Sequence, residues 1–191
     1  MARIKRLVIG TPVHQEIAAR LVFIDREDYS GVMRKAKEEL TALGRRHDDD
    51  HLRRGVYALK QYYAVALLDP ANPHAISAEV DPFWHAHILH TEQYVAFCQN
   101  LVGEYMHHRP LDRSRPADVA GMKILYDYTQ AIMPKLFGEV EVDRAFWPIG
   151  EAAHAVLICH HKGNQGIYPA VQKHRLFEPA PYLQEVAAFT H

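Results

Sequence analysis

The sequence predicts a mainly α-helical protein, a single-domain irregular helical bundle over residues 1–191 with a less regular C-terminal third. Three observations lead to this expectation. Apolar residues recur at helical spacing through the first two thirds of the chain. Proline follows a capping residue at expected helix starts. The composition, with 48% hydrophobic and 24% charged residues, is typical of a globular domain, and the length suits one core.

Caps, prolines and apolar spacing indicate five helices. Thr11-Pro12 predicts a cap followed by the first helical residue. Gly44 marks the end of the second helix, Asp69-Pro70 ends the third, and Asn72-Pro73 continues a loop. The predicted ranges are 11–23, 29–43, 50–68, 81–102 and 117–137.

The fourth helix begins with Asp81-Pro82, so the Asp81 carboxylate is expected to accept hydrogen bonds from first-turn amides. Gly103 ends that helix, and Pro116 opens the next, which Pro134 kinks or shortens. In the C-terminal third, we expect a strand or a buried helix at 153–159, a turn at 163–166 and a closing helix at 181–189.

Composition excludes several classes of function. A net charge of −1 and a pI near 6.9 argue against nucleic-acid binding, which needs a basic surface. The spacing of Cys98 and Cys159 fits neither a zinc finger nor a disulfide scaffold, which favours a reduced, intracellular setting. No apolar stretch suits a membrane span or a signal peptide, so a cytoplasmic location is expected; a leaderless export substrate would look the same.

Histidines are concentrated between residues 81 and 110, which we define as a signature helix and a His-His loop. Imidazole is the commonest protein ligand for transition metals. On one regular helix, His87 and His90 lie about 60° apart and can share an ion, whereas His85 lies roughly 160° from His87. The natural neighbour of His85 is Asp81, four residues earlier. A third ligand is expected from His107 or His108, with the other one pointing elsewhere.

The sequence therefore predicts a site for a divalent metal ion and does not distinguish zinc, iron or copper. Asp81 and His85 are the candidate catalytic residues, with Asp81 orienting His85 as a further ligand or as a general base. Trp84, Tyr94 and Cys98 are expected in the core beneath the site. The candidate metal ligands are His85, His87, His90, His107 and His108.

Two other histidine groups have weaker patterns. His47 and His51 flank three aspartates at a predicted helix boundary, which favours a solvated helix start over a metal site. His154, Cys159, His160 and His161 form a looser set that could supply a remote ligand or hold an independent weak site.

The order Asp81-x-x-Trp84-His85-x-His87-x-x-His90, followed by Tyr94, Phe97-Cys98, Gly103 and His107-His108-x-Pro110, resembles the signature of the glycine-rich domain-containing protein-like family. The resemblance covers residues 50–110. It implies a helical domain whose signature histidines form a metal site, and little about chemistry. The chain lacks a glycine-rich tail, so the resemblance does not extend to a role that depends on such a tail.

Three functions compete at this point. The first is a metal-dependent enzyme, hydrolytic or oxidative, acting on a small molecule or a peptide. The alternative is a non-catalytic metal carrier or an interaction module with a structural ion. A metal-free helical scaffold is the third. The sequence has no serine-nucleophile motif, P-loop or dinucleotide fingerprint, and neither a nucleic-acid nor a membrane partner is expected.

Overall fold

A computed structural model describes residues 4–150, the strand at 153–158 and residue 177. Within these residues the chain forms six α-helices, a short 3-10 helix and three β-strands, so the prediction of a mainly α-helical protein is confirmed. The elements are α1 Gln15–Arg26, α2 Ser30–Ala42, α3 Asp49–Leu68, β1 His74–Ser77, α4 Asp81–Ile88, α5 Thr91–Leu101, β2 His107–Pro110, α6 Pro116–Phe137, the 3-10 helix Glu139–Glu141 and β3 Ala153–Ile158.

Helix α3 lies at the centre of the core. Its N-cap, Asp48, accepts a hydrogen bond from the His51 amide at 2.9 Å, and two further aspartates in the first turn face the positive end of the helix dipole. Every residue from 55 to 68 is buried, as expected of a helix that is apolar on nearly all sides. The central position follows from its contacts with α1, α2, α4, α6 and β1.

Two buried polar side chains of α3 donate hydrogen bonds to other parts of the fold. The Lys60 ammonium donates to Asp25 Oδ1 at 3.0 Å and to the Lys5 carbonyl at 3.1 Å. The Gln61 amide donates to the Glu141 carbonyl at 2.9 Å. These bonds offset the cost of burying a charge and an amide, and they tie the N-terminal segment and the 3-10 helix to the core.

Helix α4 packs closely on α3 at Gly55. A Cβ atom at Gly55 would lie 2.0 Å from Cζ of Phe83, so only glycine admits the Phe83 ring there. Helix α4 also packs along α2. The helix that carries the candidate site is therefore fixed on two sides by the core.

A small antiparallel sheet has the strand order β1-β3-β2. Helix α6 packs against β1 and β3. The sequence analysis assigned no element to the β1 segment, which follows the loop expected at Asn72-Pro73, and it offered a strand as one alternative for residues 153–159. Strand β3 pairs with β1 and β2, which lie far from it in the chain. Pairing with a distant segment leaves no sequence pattern in strands of only four residues such as β1 and β2.

Three predicted helix boundaries were wrong. Helix α1 begins at Gln15 rather than Thr11, with His14 as the N-cap, whose Nδ1 accepts from the Glu16 amide. The N-cap of α4 is Val80, so Asp81 is the first helical residue and does not cap the helix with its side chain. The predicted continuous helix 81–102 is two helices, because α4 ends at Ile88 and α5 begins at Thr91.

The break between α4 and α5 has a local cause in His90. Its backbone lies outside the helical region, at φ −86° and ψ 63°. The His90 amide bonds to the His87 carbonyl at 3.0 Å, and the His90 ring Nδ1–H donates to the Ala86 carbonyl at 2.7 Å. The side chain thus replaces the backbone bond that a continuing helix would make.

Other boundaries agree with the sequence. Helix α6 begins at Pro116 and continues through Pro134 to Phe137, where Gly138 ends it with φ +87°. The predicted turn at 163–166, the closing helix at 181–189 and the side chains of His154, Cys159, His160 and His161 lie outside the described residues. Among the described helices, none combines the length and the apolar character that crossing a membrane requires.

Candidate metal centre

The first two residues of the candidate centre lie one turn apart on α4. Asp81 and His85 are i and i+4, and His85 Nε2 is 3.5 Å from Asp81 Oδ2. Because α4 begins one residue earlier than the sequence suggested, the Asp81 carboxylate is directed at the two histidines of the centre and not at the amides of its own helix. The predicted neighbourhood of Asp81 and His85 is confirmed, and the predicted cap is wrong.

The third residue, His108, comes from β2. Its Nε2 lies 3.0 Å from Asp81 Oδ1 and 2.9 Å from His85 Nε2. Successive residues of a strand point to opposite sides, and His107 packs edge-on against Tyr105 with ring centroids 4.8 Å apart. Only one member of the His-His pair faces Asp81, as the sequence analysis expected.

Two signature aromatics hold His108 in place. The Trp84 ring packs on the His108 ring at a centroid distance of 4.6 Å. Trp84 Nε1–H donates to the Tyr94 hydroxyl at 2.9 Å, and that hydroxyl donates to the Met106 carbonyl at 2.7 Å. Since Met106 lies just before β2, this chain fixes the start of the strand against α4. Trp84 and Tyr94 are fully buried, in agreement with their predicted place in the core.

The three candidate ligand atoms lie at separations that suit one shared metal ion. If His108 Nε2 carries a hydrogen, it can donate well to Asp81 or to His85, but not fully to both. If it carries a lone pair, that pair faces the Asp81 oxygen at 3.0 Å. A metal ion accepts all three lone pairs. Metal–ligand distances of 2.0–2.2 Å place donor atoms about 2.8–3.6 Å apart, and the separations here are 2.9, 3.0 and 3.5 Å.

Burial of the centre is uneven. The side chains of Asp81 and His108 are 4% and 10% exposed, whereas that of His85 is 39% exposed. The carboxylate and one imidazole are therefore held within the protein, and solvent reaches the group from the His85 side. If these three residues bind an ion, the solvent-facing side leaves room for a further ligand, as in catalytic metal sites.

Glu39, on α2, is a neighbour of the centre that sequence reasoning missed. Its Oε1 lies 3.5 Å from His85 Nδ1. A carboxylate only accepts hydrogen bonds, so it favours a proton on Nδ1 and leaves the Nε2 lone pair facing Asp81 and His108. No local pattern could have identified Glu39, because its position depends on the packing of α2 against α4.

His87 is fully buried and is not part of this group. Its Nδ1 lies 2.8 Å from the Tyr63 hydroxyl, and its Nε2 lies 3.5 Å from Glu27 Oε1. The rings of Tyr29, Tyr63, Tyr94 and Phe97 pack around it. Burial lowers the pKa of His87 and so favours the neutral imidazole, whereas the nearby Glu27 carboxylate acts in the opposite direction.

His90 lies at the break between α4 and α5. Because its Nδ1–H donates to the Ala86 carbonyl, its lone pair is on Nε2. Nε2 would lie 2.7 Å from a Cβ atom at Gly31, so the ring packs directly against the first turn of α2. Among the described residues, only Asp81, His85 and His108 bring three ligand atoms within 4.8 Å of one another. The structure thus groups neither His87, His90 nor His107 with them.

A second buried histidine, His74, bonds to side chains that hold the fold together. His74 Nε2 lies 3.1 Å from Asp69 Oδ2, and its Nδ1 lies 3.2 Å from the Thr129 hydroxyl. This resembles a carboxylate–imidazole–hydroxyl relay. The Thr129 hydroxyl, however, donates to the Leu125 carbonyl and accepts from the Ala75 amide, and all three relay side chains are buried. Its role is to join β1, α3 and α6.

His47 and His51 lie where the sequence predicted a helix start. Asp48 is the cap of α3 between them, and Asp48, Asp49 and Asp50 are exposed. The His51 ring packs against Phe146 at a centroid distance of 4.8 Å. Neither histidine belongs to a three-ligand group within the part of the chain that the structure describes.

Comparison with known proteins identifies the family. A model of the UCP032817-like family matches residues 19–131, more than half of the 191 residues, and the chain belongs to this family. The matched span includes Asp81, His85, His108 and Glu39. Neither the curated proteins nor the solved structures contain a match to the chain.

Proposed function

We propose that this member of the UCP032817-like family binds one divalent transition-metal ion through Asp81, His85 and His108, and that the bound ion supports hydrolytic or oxidative chemistry. The observation that carries the proposal is the convergence of three candidate ligand atoms at mutual separations of 2.9–3.5 Å, the spacing that donor atoms take around one metal ion. Asp81 provides the negative charge, and the two imidazoles provide neutral nitrogen ligands.

The ligand set suits two kinds of metal chemistry. Two histidines and one carboxylate hold zinc in hydrolytic enzymes and ferrous iron in oxygenases. When bound, such an ion polarises a substrate oxygen or lowers the pKa of a bound water. The residues of this chain would hold the ion, exclude water on the buried side and leave the His85 side open to a small molecule or a peptide.

Glu39 supports this arrangement from outside the ligand set. A metal-bound histidine usually donates its other ring N–H to a carboxylate or a carbonyl, which fixes the tautomer and the ring orientation. The Glu39–His85 separation of 3.5 Å places a carboxylate on the required side of the ring. We assign His85 and Asp81 to the ligand set, so a general-base role for His85 is not part of the proposal.

A non-catalytic carrier or an interaction module with a structural ion is the competing proposal. The exposure of His85 favours an open site over the closed four-ligand coordination of structural zinc. X-ray absorption on the loaded protein separates the two, since three protein ligands plus a water-derived oxygen support catalysis and four protein ligands support a structural ion.

Three expectations from the sequence stay predictions. They are kinship with the glycine-rich domain-containing protein-like family, a cytoplasmic location and the absence of nucleic-acid partners. The signature behind the first, residues 50–110, falls inside the matched span 19–131. The Trp84 ring packs on the last histidine of that signature, and Trp84 donates to Tyr94.

The test is the metal content of protein purified without an affinity tag, compared among wild type, His108→Ala and His107→Ala. The two variants remove the same side chain from adjacent positions on opposite sides of β2. We expect wild type and His107→Ala to bind zinc or ferrous iron at the Asp81 centre and His108→Ala to lose that ion. Equal binding by both variants would refute the assignment of His108.

A further inference from the structure

We propose a second cation site, separate from the Asp81 centre, in which His87 Nε2 and Glu27 Oε1 are the fixed ligands. His87 and Asp81 both belong to α4, but His87 is buried on the side of the helix that faces Tyr63 of α3 and Tyr94 of α5. The site lies where the turn between α1 and α2 meets α4 and the start of α5.

An unsatisfied nitrogen points to an occupant. His87 is fully buried, and its Nε2 has no hydrogen-bond partner in the described structure. The nearest carboxylate atom, Glu27 Oε1, lies 3.5 Å away, which is longer than the 2.7–3.2 Å of an ordinary N–H···O bond. A nitrogen left unpaired in the core is unfavourable, so an occupant that joins the two atoms is favoured.

The separation fits a metal ion. Two ligand atoms at 2.0–2.2 Å from a tetrahedral ion lie about 3.3–3.6 Å apart, and 3.5 Å falls within this range. On its other side, His87 Nδ1 meets the Tyr63 hydroxyl at 2.8 Å. When Nδ1–H donates to the phenol oxygen, the lone pair is on Nε2, and the outer N–H of the ring has a fixed partner, as in metal-bound histidines.

The surroundings offer a candidate third donor, the Tyr29 hydroxyl, and a rigid frame. The Tyr29 hydroxyl is buried without a hydrogen-bond partner in the described structure, and the Tyr29 ring packs edge-on against His87 at 5.7 Å. Gln93 donates to Glu27 Oε1 and, at 2.8 Å, to the Asp28 carbonyl. These bonds hold the turn that carries Glu27 against α5, so the carboxylate stays near the imidazole.

The ligand class follows from the donors. One imidazole and one carboxylate as the fixed ligands favour a borderline transition ion such as zinc over magnesium, which prefers oxygen ligands and water. The carboxylate compensates part of the charge of a cation in a buried place. The sequence prediction of His87 as a ligand is thereby kept, with Glu27 in place of His90 as its partner.

The test counts zinc ions on the untagged full chain by native mass spectrometry after loading with Zn²⁺ and desalting. We expect two ions on wild type, one on Glu27→Gln, one on His108→Ala and none on the double variant. Glu92→Gln, which removes the same charge from an exposed position at the start of α5, is the control and should keep both ions. Tyr29→Phe, which keeps the ring, should weaken the second site without affecting the first.

The outcomes separate this proposal from the proposed function. If wild type binds one ion, and His108→Ala loses it while Glu27→Gln keeps it, the second site is overturned and the Asp81 centre is supported. If wild type binds one ion, and Glu27→Gln loses it while His108→Ala keeps it, the second site is supported and the Asp81 centre is refuted. Zinc-edge anomalous diffraction provides the same decision in a crystal, since density between His87 and Glu27 supports the site and an ordinary water there overturns it.

Discussion

Tyr94→Phe tests how the fold positions the third ligand. The Tyr94 hydroxyl is fully buried and makes two hydrogen bonds, accepting from Trp84 Nε1 at 2.9 Å and donating to the Met106 carbonyl at 2.7 Å. Removing this oxygen atom leaves the Trp84 Nε1–H donor and the Met106 carbonyl acceptor without their hydrogen-bond partner. Each loss costs about 1–3 kcal/mol, so we expect the free energy of unfolding to fall by about 2–6 kcal/mol, a large share of a total of about 5–15 kcal/mol.

The assay is equilibrium urea unfolding of the metal-free protein, with the midpoint shifted and the slope unchanged. Tyr105→Phe, at a partly exposed tyrosine close to Tyr94, is the control and should change stability by less than about 0.5 kcal/mol. Tyr94→Phe should also bind metal more weakly, because the hydroxyl it removes bonds to Met106, two residues before His108. A Tyr94→Phe protein as stable as the control would refute the argument that this hydroxyl fixes β2 on α4.

Three further predictions follow from single contacts. Glu39→Gln should weaken metal binding about 10–100-fold by disturbing the orientation of His85. Competition with a chelator measures this loss, and Glu38→Gln, at the adjacent exposed glutamate, should have no effect. Burial raises the pKa of Cys98 to about 11, so with the other cysteine replaced the native protein at pH 8 should react with a thiol reagent far more slowly than the unfolded chain. The Lys5 ammonium lowers the pKa of Glu141 below its usual 4.5; the resulting stability is present above that value and lost as the pH falls through the folded pKa, so Glu141→Gln should show a shallower loss of stability in acid.

Local signals in the sequence predicted local structure well. Pro116 predicted the start of α6, and the apolar spacing of 50–68 predicted α3, since both depend on neighbouring residues. The break at His90 was missed because it depends on a side chain bonding to a backbone carbonyl, and no glycine or proline marks it. The strands were missed or left ambiguous because β3 joins segments that are distant in the chain.

The candidate centre shows the same division. The pairing of Asp81 with His85 followed from helical geometry, and the choice of one residue from His107 and His108 followed from their adjacency. Which one faces the centre depends on the register of β2 with β3, and the Glu39 contact depends on helix packing; neither can be read from spacing. His87 and His90 occupy one stretch of sequence, yet the break between the helices gives them different neighbours.

The most direct test of the central claim is anomalous diffraction at the metal edge from crystals of untagged, loaded protein. The account predicts a peak about 2.0–2.2 Å from His85 Nε2, His108 Nε2 and an Asp81 carboxylate oxygen. An ordered protein with those three atoms still converging, and no metal peak between them at saturating ion, would contradict it.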